Sequence, residues 1–285
     1  MKRIFIVLAF ILLLPLNAFS EADSLEIHFI DVDDGDATLV KTPAGRSILI
    51  DAGNLITGLK LVNYLKSQGV ESIDVLVFTH PHSDHIGGVF FVMQLLDVGR
   101  VFDNDQKLDG SNLLRWYAKL ARGHKDYAAL KEGGSFALDG VTFKAIWPSE
   151  GEVSDKWNDN CLVIMLEFGD LRILFTADIS HRVEKILLER KKDVKADILK
   201  VSHHGYTDAT SEEFLDAVDP DIAVIFVKED SPYGELSDTV PRRLTDRGIS
   251  VKRTDEHGTV IMVADRKGRI EIKDQVPEEP AEVQR

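Results

Sequence analysis

The sequence contains one cysteine, Cys161, among 285 residues. A single thiol excludes a framework of intrachain disulfides, so the fold must be held together without such cross-links. Positive charge is also scarce: 34 lysines and arginines oppose 48 aspartates and glutamates, which leaves a formal net charge of −14. A surface this acidic repels nucleic acid and anionic membranes at long range, which weighs against a simple nucleic-acid-binding protein.

Long hydrophobic runs are scarce as well. The apolar run from Ile4 to Leu14 follows a basic start and is too short for a comfortable membrane span. Small residues ending at Ser20 complete the layout of a secretory signal peptide over residues 1–20. We therefore expect a secreted or extracytoplasmic protein with no stable membrane span after cleavage, the alternative being an uncleaved N-terminal anchor.

The rest of the chain predicts one large α/β domain over residues 21–274. A run of strands comes first, and helices then alternate with buried apolar strands. No internal repeat or linker divides this region. Residues 275–285 are rich in proline and glutamate and are predicted to be disordered.

The most informative stretch covers residues 79–88 and directly follows an apolar run that predicts a buried strand. His80 and His82 are two residues apart, so in an extended segment both imidazoles point the same way and can bind one ion. Asp84 and His85 follow where the chain turns into a helix and would bind a second ion. Because neutral imidazoles and carboxylates are preferred ligands of divalent metals, a loop that is merely rich in histidine is the weaker interpretation.

Two further strand ends offer ligands. Asp178 follows an apolar strand, and His203 and His204 follow another. Such strand ends are where α/β proteins place their chemistry, so a two-metal site is the economical interpretation. Asp178 would bridge the two ions, and one of the two adjacent histidines would complete the second position.

These motifs resemble the metallo-β-lactamase fold superfamily and, within it, are most similar to the metallo-hydrolase domain of ComEC-type competence proteins. The likeness covers nearly all of residues 25–272 and implies a four-layer αββα sandwich with the site at one edge. Besides the histidine motif and Asp178, it is carried by Asp31-Val32 and Gly35-Asp36-Ala37, Leu49 to Gly53, Asn158 to Val163, Leu199 to Gly205, Tyr233-Gly234 and Arg253 to Gly258.

The resemblance implies a role for each motif residue. His80 and His82 match the first metal position, Asp84 and His85 the second, Asp178 the bridge and His203 the last ligand. Adjacent imidazoles are not separated by ligand chemistry, so His204 is the alternative to His203.

The sequence departs from the family pattern at three places. The family's Asp-Val-Gly-Gln-Gly-Asp reads Asp-Val-Asp-Asp-Gly-Asp over residues 31–36. The usual third histidine of the first metal position is absent, because no histidine lies between Pro148 and Asn160. Asp159, Asn160 or water would fill that corner, which favours manganese or a partly occupied zinc pair. After Tyr233-Gly234 the usual His-Pro is replaced by Glu-Leu.

The function implied is a secreted metal-dependent hydrolase, phosphodiesterase-like or DNase-like, in which two divalent ions, zinc or manganese, activate a hydroxide. Bound cations would reverse the acidic charge locally, so a phosphodiester or nucleic-acid substrate is compatible with the composition. We expect Asp84 to orient the hydroxide and His204, if it is not a ligand, to protonate the leaving oxygen. Candidate substrate contacts are Asn160, Tyr233, Arg242 and Arg243.

Two alternatives stay open. One is a metallo-hydrolase acting on another ester, a lactone or a wall phosphoester. The other is a non-catalytic binding protein associated with DNA uptake, which the missing third histidine supports.

Overall fold

The computed structural model describes residues 23–108, 110–151, 154–228 and 238–273. The predicted signal peptide, the predicted disordered tail and Tyr233 lie outside these residues. Among the residues described, no helix combines the length and the apolar character needed to cross a bilayer.

The strands and helices alternate much as the apolar pattern predicts. The strands are β1 (Ser24–Phe29), β2 (Thr38–Lys41), β3 (Ser47–Ile50), β4 (Ser72–Val77), β5 (Asp97–Asp103), β6 (Tyr127–Ala129), β7 (Ser135–Leu138), β8 (Val141–Trp147), β9 (Val163–Phe168), β10 (Leu171–Phe175), β11 (Ile198–Lys200), β12 (Ile222–Ile225), β13 (Ser250–Arg253), β14 (Val260–Asp265) and β15 (Ile270–Lys273).

The helices are short. They are α1 (Gly58–Ser67), α2 (Ser83–Ile86), α3 (Val89–Leu95), α4 (Asn112–Tyr117), α5 (His181–Glu189), α6 (Glu212–Val218), α7 (Thr239–Thr245) and α8 (Thr254–His257), with a π-helical turn at Ala118–Arg122 and 3₁₀ turns at Trp157–Asn160 and Ser202–Gly205.

The strands form two sheets. In the first, eight strands are ordered β15-β14-β1-β2-β3-β4-β5-β6; in the second, seven are ordered β13-β12-β11-β10-β9-β8-β7. Neighbouring strands are parallel from β3 to β6 and from β10 to β13. Parallel neighbours need crossover connections, and the helices of the outer layers belong to these connections.

The apolar pattern of single strands explains the layering. Leu25, Ile27 and Phe29 of β1 lie in the core between the two sheets, because alternate residues of a strand share one face. In β3, Ile48 and Ile50 face the same core, whereas Leu49 packs in a second cluster with Leu61 of α1. A third cluster covers the outer face of the other sheet. The predicted four-layer αββα sandwich is confirmed.

Candidate metal centre

The predicted histidine motif begins at Thr79, just after β4 ends. The backbone N–H and the hydroxyl of Thr79 donate to the two carboxylate oxygens of Asp51, at 2.8 and 2.7 Å. The backbone N–H of Leu162, which directly precedes β9 of the other sheet, donates to the carbonyl of Thr79 at 2.9 Å. These bonds fix the start of the motif against both sheets, and α2 then places Asp84 and His85.

The structure brings the metal-capable side chains into two groups that share Asp178. The first group is Asp84, His85, Asp178 and His204, and the second is His80, His82 and Asp178. Within each group the ligand atoms lie within 4.8 Å of one another. Oδ2 of Asp178 is 3.2 Å from Nε2 of His85 and 3.7 Å from Nε2 of His80.

In three of the histidine rings, Nδ1 contacts a hydrogen-bond partner outside the cluster, and this contact fixes the ring. Nδ1 of His85 is 2.8 Å from Oδ2 of Asp51, and Nδ1 of His204 is 3.1 Å from the carbonyl oxygen of Phe226. Nδ1 of His80 is 3.2 Å from the hydroxyl of Thr79. Such partners hold the ring and its tautomer, so Nε2 of each ring faces the interior of the cluster.

The charges of the cluster are strongly coupled. Burial alone would raise the pKa of Asp178, but the charges of His85 and His204 outweigh it and hold that pKa well below its ordinary value. Burial disfavours the imidazolium of His204, yet the carboxylates of Asp178, Asp84 and Asp36 outweigh burial and raise the pKa of His204 to about 10. In the absence of other cations, protons on His85 and His204 therefore compensate the carboxylates, since nearby carboxylates raise the pKa of both rings despite their burial.

The donor set and one orphaned atom test whether divalent ions fit this site. Oδ1 of Asp178 is buried and has no hydrogen-bond partner among the described residues. An unsatisfied buried carboxylate oxygen is costly, and a cation would remove that cost. Imidazole nitrogens and carboxylate oxygens are also the ligands that zinc and manganese accept. The residues present fit a pair of divalent ions.

The adjacent histidines lie in different surroundings. Nε2 of His204 is 3.2 Å from Oδ2 of Asp84, inside the cluster. His203 turns away: its Nδ1 is 2.8 Å from Oδ1 of Asp208, and its Nε2 is 3.2 Å from Nδ2 of Asn158. Both histidines have positive φ, 48° and 51°, which aims the two rings in different directions. The structure thus brings His204 into the cluster, whereas we expected His203 to be the ligand and His204 the proton donor.

Neither side chain expected to fill the open corner of the first position reaches it. Asp159 is buried and accepts from the hydroxyls of Ser154 and Ser180 at 3.0 and 2.6 Å. Asn160 bonds to backbone groups of Ser154 and Lys156. Among the described residues, the His80 and His82 group therefore has Asp178 as its third member and no fourth.

The cluster opens into a cavity of about 260 Å³. Its wall includes His82, Asp84, Asp178 and His204. Residues that belong to neither group also line it, among them Asn158, His203, Tyr206, Phe226 and Lys228. Lys228 adds a cationic side chain to an otherwise acidic site. The cavity has room for a small part of a larger substrate, with the remainder extending into solvent.

Three of the four predicted substrate contacts, Asn160, Arg242 and Arg243, do not line the cavity. Nη2 of Arg242 is 2.9 Å from Oδ2 of Asp238, and Nε of Arg243 is 3.1 Å from Oε1 of Glu212. Among the described residues that line the cavity, Arg242, Arg243 and Asn160 are absent. Tyr233 lies outside the described residues.

Sequence reasoning missed several residues of the site. It gave no role to Asp36, Asp51, Lys200, Asp208 or Lys228. For the first three a signal was present, because they lie in motifs that carry the family resemblance and at the ends of apolar strands. For Asp208 and Lys228 no local pattern distinguishes the residue from an ordinary exposed charge.

The chain is similar in sequence to known proteins. ComE operon protein 3 of Bacillus subtilis (strain 168) is 27% identical over 263 residues, covering 82% of this chain and 32% of that protein. Competence protein ComA of Neisseria gonorrhoeae is 28% identical over 232 residues, covering 81% of this chain and 31% of that protein. The chain thus spans about a third of the length of these relatives.

A solved structure shares the fold. The metallo-beta-lactamase fold protein YhfI from Bacillus subtilis matches with a TM-score of 0.56 and 15% identity, covering 88% of this chain and 100% of that one. The family model of the metallo-beta-lactamase superfamily matches residues 30–228, which contain both metal-capable groups. With its paired sheets and the histidine and aspartate cluster at their edge, the chain belongs to the metallo-beta-lactamase superfamily.

Proposed function

We propose that the protein is a secreted metal-dependent hydrolase that cleaves phosphodiester bonds, with DNA as the candidate natural substrate. The observation that carries the proposal is the pair of metal-capable groups sharing Asp178 beside a cavity lined by Lys228. The competence relatives support the link to DNA, and the predicted leader over residues 1–20 supports secretion.

Two divalent ions, zinc or manganese, would be held by the two groups. One ion would bind His80, His82 and Asp178; the other would bind Asp84, His85, Asp178 and His204. When bound, such ions make water more acidic and neutralise charge on phosphoryl oxygens. Together with the buried ammonium of Lys200 they would outweigh the inner carboxylates, so an acidic chain would present a positive centre to an anionic substrate.

The remaining groups of the cavity are suited to handle the substrate and its protons. Asp84 lines the cavity, where its carboxylate can orient the attacking water and accept its proton. His203 lines the cavity, with Nδ1 held by Asp208 and Nε2 3.2 Å from Nδ2 of Asn158. In its protonated form it would donate a proton through Nε2 to the leaving oxygen. Lys228 would bind a non-reacting phosphate oxygen.

Hydrolysis assays test this proposal. Protein supplied with manganese or zinc is offered bis-p-nitrophenyl phosphate, single-stranded DNA, a lactone and a β-lactam. We expect hydrolysis of the first two, lost in Asp178→Asn but kept in the matched control Asp170→Asn, since Asp170 is an exposed turn residue. Hydrolysis of the lactone alone would contradict the phosphodiesterase assignment.

A second candidate is a non-catalytic binding protein that retains the fold. It is favoured by one observation, namely that the His80 and His82 group contains only one further ligand among the described residues. Metal-loaded protein that is inert towards every substrate yet retains single-stranded DNA in a binding assay would support this candidate over the enzyme.

A further inference from the structure

A buried lysine reaches the inner side of the metal-capable cluster. Lys200 is the last residue of β11 and is 1% exposed. Its ammonium pairs with Oδ2 of Asp36, donates to the carbonyl of Ala177 at 3.0 Å and lies 3.7 Å from Oδ1 of Asp178. Taking an ammonium out of water is expensive unless its charge is matched, so these carboxylates must compensate it.

Behind the two groups that share Asp178 lies a third set of metal-capable side chains. Asp36, Asp51 and His85 are all buried, and their ligand atoms lie within 4.8 Å of one another. Thr79 donates to both oxygens of Asp51, and Lys200 pairs with Asp36. The ammonium of Lys200 therefore supplies the positive charge that a bound cation would otherwise supply to Asp36 and Asp51.

Lys200 also connects this inner set to a ring of the metal-capable cluster. Oδ1 of Asp36 is 3.5 Å from Nδ1 of His204, the nitrogen opposite the one that faces Asp84. A displaced Asp36 would therefore change the electrostatic field at His204, whose ring is held by the carbonyl of Phe226.

We propose that Lys200 is a positioning residue that serves as a built-in cation of the site. It compensates Asp36 and Asp178 before any metal binds, and it keeps the inner carboxylates of Asp36 and Asp51 from taking up an additional ion. The inference rests on the proposed metal centre but not on the reaction catalysed there.

Unfolding and metal content of Lys200→Met test this inference. Methionine keeps the unbranched shape of the side chain up to its fourth heavy atom, removes the charge, and leaves Asp36 buried and without its ion-pair partner. In EDTA we expect the melting temperature to fall by roughly 10 °C. Manganese should stabilise the variant more than the wild type, and elemental analysis should find more manganese bound per chain than in the wild type.

A double variant separates charge compensation from packing. Asp36→Asn with Lys200→Met removes both partners, so stability in EDTA and metal content should return towards the wild type. Lys195→Met, which removes an exposed ion pair with Asp219, is the matched control and should change neither quantity.

Specific outcomes would overturn the inference. A single variant as stable in EDTA as the wild type, or a double variant no more stable than the single one, would exclude charge compensation. An unchanged metal content in Lys200→Met would exclude the blocking of a third ion. If the wild type binds no metal, the proposed function fails, whereas the EDTA measurements still decide whether Lys200 compensates Asp36.

Discussion

The two histidines at positions 203 and 204 differ in what they contact. His204 lies among Asp84, His85 and Asp178, whereas His203 bonds to Asp208 and lines the cavity. Spacing could not distinguish them, because the choice depends on two consecutive residues with positive φ. No sequence pattern around them requires that conformation. The sequence could therefore predict that one of the two histidines is a ligand, but not which one.

Substituting the two histidines separately gives opposite predictions. His204→Ala should reduce the bound metal measured by elemental analysis. His203→Ala should retain the metal and lower kcat on bis-p-nitrophenyl phosphate by roughly 10²- to 10⁴-fold, because a proton donor is lost. If His203→Ala instead lost metal and His204→Ala did not, the assignment expected from the sequence would be the better one.

Asp51 provides a second prediction at this scale. Asp51 is buried. Its carboxylate accepts hydrogen bonds from Thr79, and its Oδ2 is 2.8 Å from Nδ1 of His85. Asp51→Asn removes the charge that holds this ring, so metal affinity should fall roughly 10- to 100-fold in competition with a chelator. Affinity equal to that of the wild type would show that His85 needs no such support; Asp170→Asn controls for loss of an acidic charge.

At the scale of secondary structure, the loop after β1 and helix α2 approach unusually closely. A Cβ built on Gly35, whose φ is 127°, would lie 2.1 Å from the carbonyl oxygen of Asp84. Only glycine tolerates both this φ and this approach. The close approach therefore helps to fix where Asp84 stands.

Gly35→Ala should consequently disturb both stability and the site. We expect the free energy of unfolding in urea to fall by about 1–3 kcal/mol, with weaker metal binding, because backbone must move. The matched control is Gly45→Ala, where φ is 82° but nothing lies within 4 Å of the added Cβ. Equal losses in the two variants would mean that conformational strain alone, and not contact with Asp84, matters.

Strand β1 is joined to helix α1 through a buried histidine. Nε2 of His28 is 2.6 Å from Oε1 of Glu26, and its Nδ1 is 2.6 Å from the hydroxyl of Tyr64. Mainly through its hydrogen bond with His28, the pKa of Glu26 is lowered from 4.5 to about 2. Because the pKa is lower in the folded state, the stabilisation is complete above about pH 4.5 and is lost as pH falls towards 2.

Glu26→Gln should therefore be less stable than the wild type at pH 7, and the difference should narrow at pH 3. Urea unfolding at the two pH values measures it, with the exposed Glu71→Gln as control. A difference that is independent of pH would show that Glu26 stabilises the protein through packing instead of its charge.

How far elements could be predicted depended on their apolar pattern. The strand before the histidine motif follows directly from its apolar run. The apolar spacing of residues 211–218 predicts a helix, which the structure shows over Glu212–Val218 with Ser211 as its cap. The amphipathic spacing from Asn112 to Arg122 predicts one continuous helical piece, but α4 changes into a π-helical turn at Ala118. Strand β6, Tyr127–Ala129, was not predicted, because so short an edge strand owes its conformation to its neighbour.

For the molecule as a whole, the proposed centre depends on both sheets. The first sheet leads into His80 to His85, and the second leads into Asp178 and His204. The family motifs sufficed to predict the sandwich, since each lies at the end of a strand. The partners that fix the rings, such as the carbonyl of Phe226, could not be predicted, because any residue supplies a carbonyl.

Metal removal should therefore weaken the entire fold. An ion that binds only the folded state adds stability of about 4 kcal/mol at a concentration a thousand times its Kd. We expect EDTA to lower the melting temperature of the wild type by roughly 10 °C and to change that of Asp178→Ala much less. Equal shifts in both proteins would mean that the stabilising ion binds away from Asp178.

The hydrogen bond between the backbone N–H of Leu162 and the carbonyl of Thr79 crosses from one sheet to the other immediately before the first histidine. If one sheet shifted relative to the other, His80 would move relative to Asp178. Metal binding at this edge should therefore depend on the correct alignment of the two sheets.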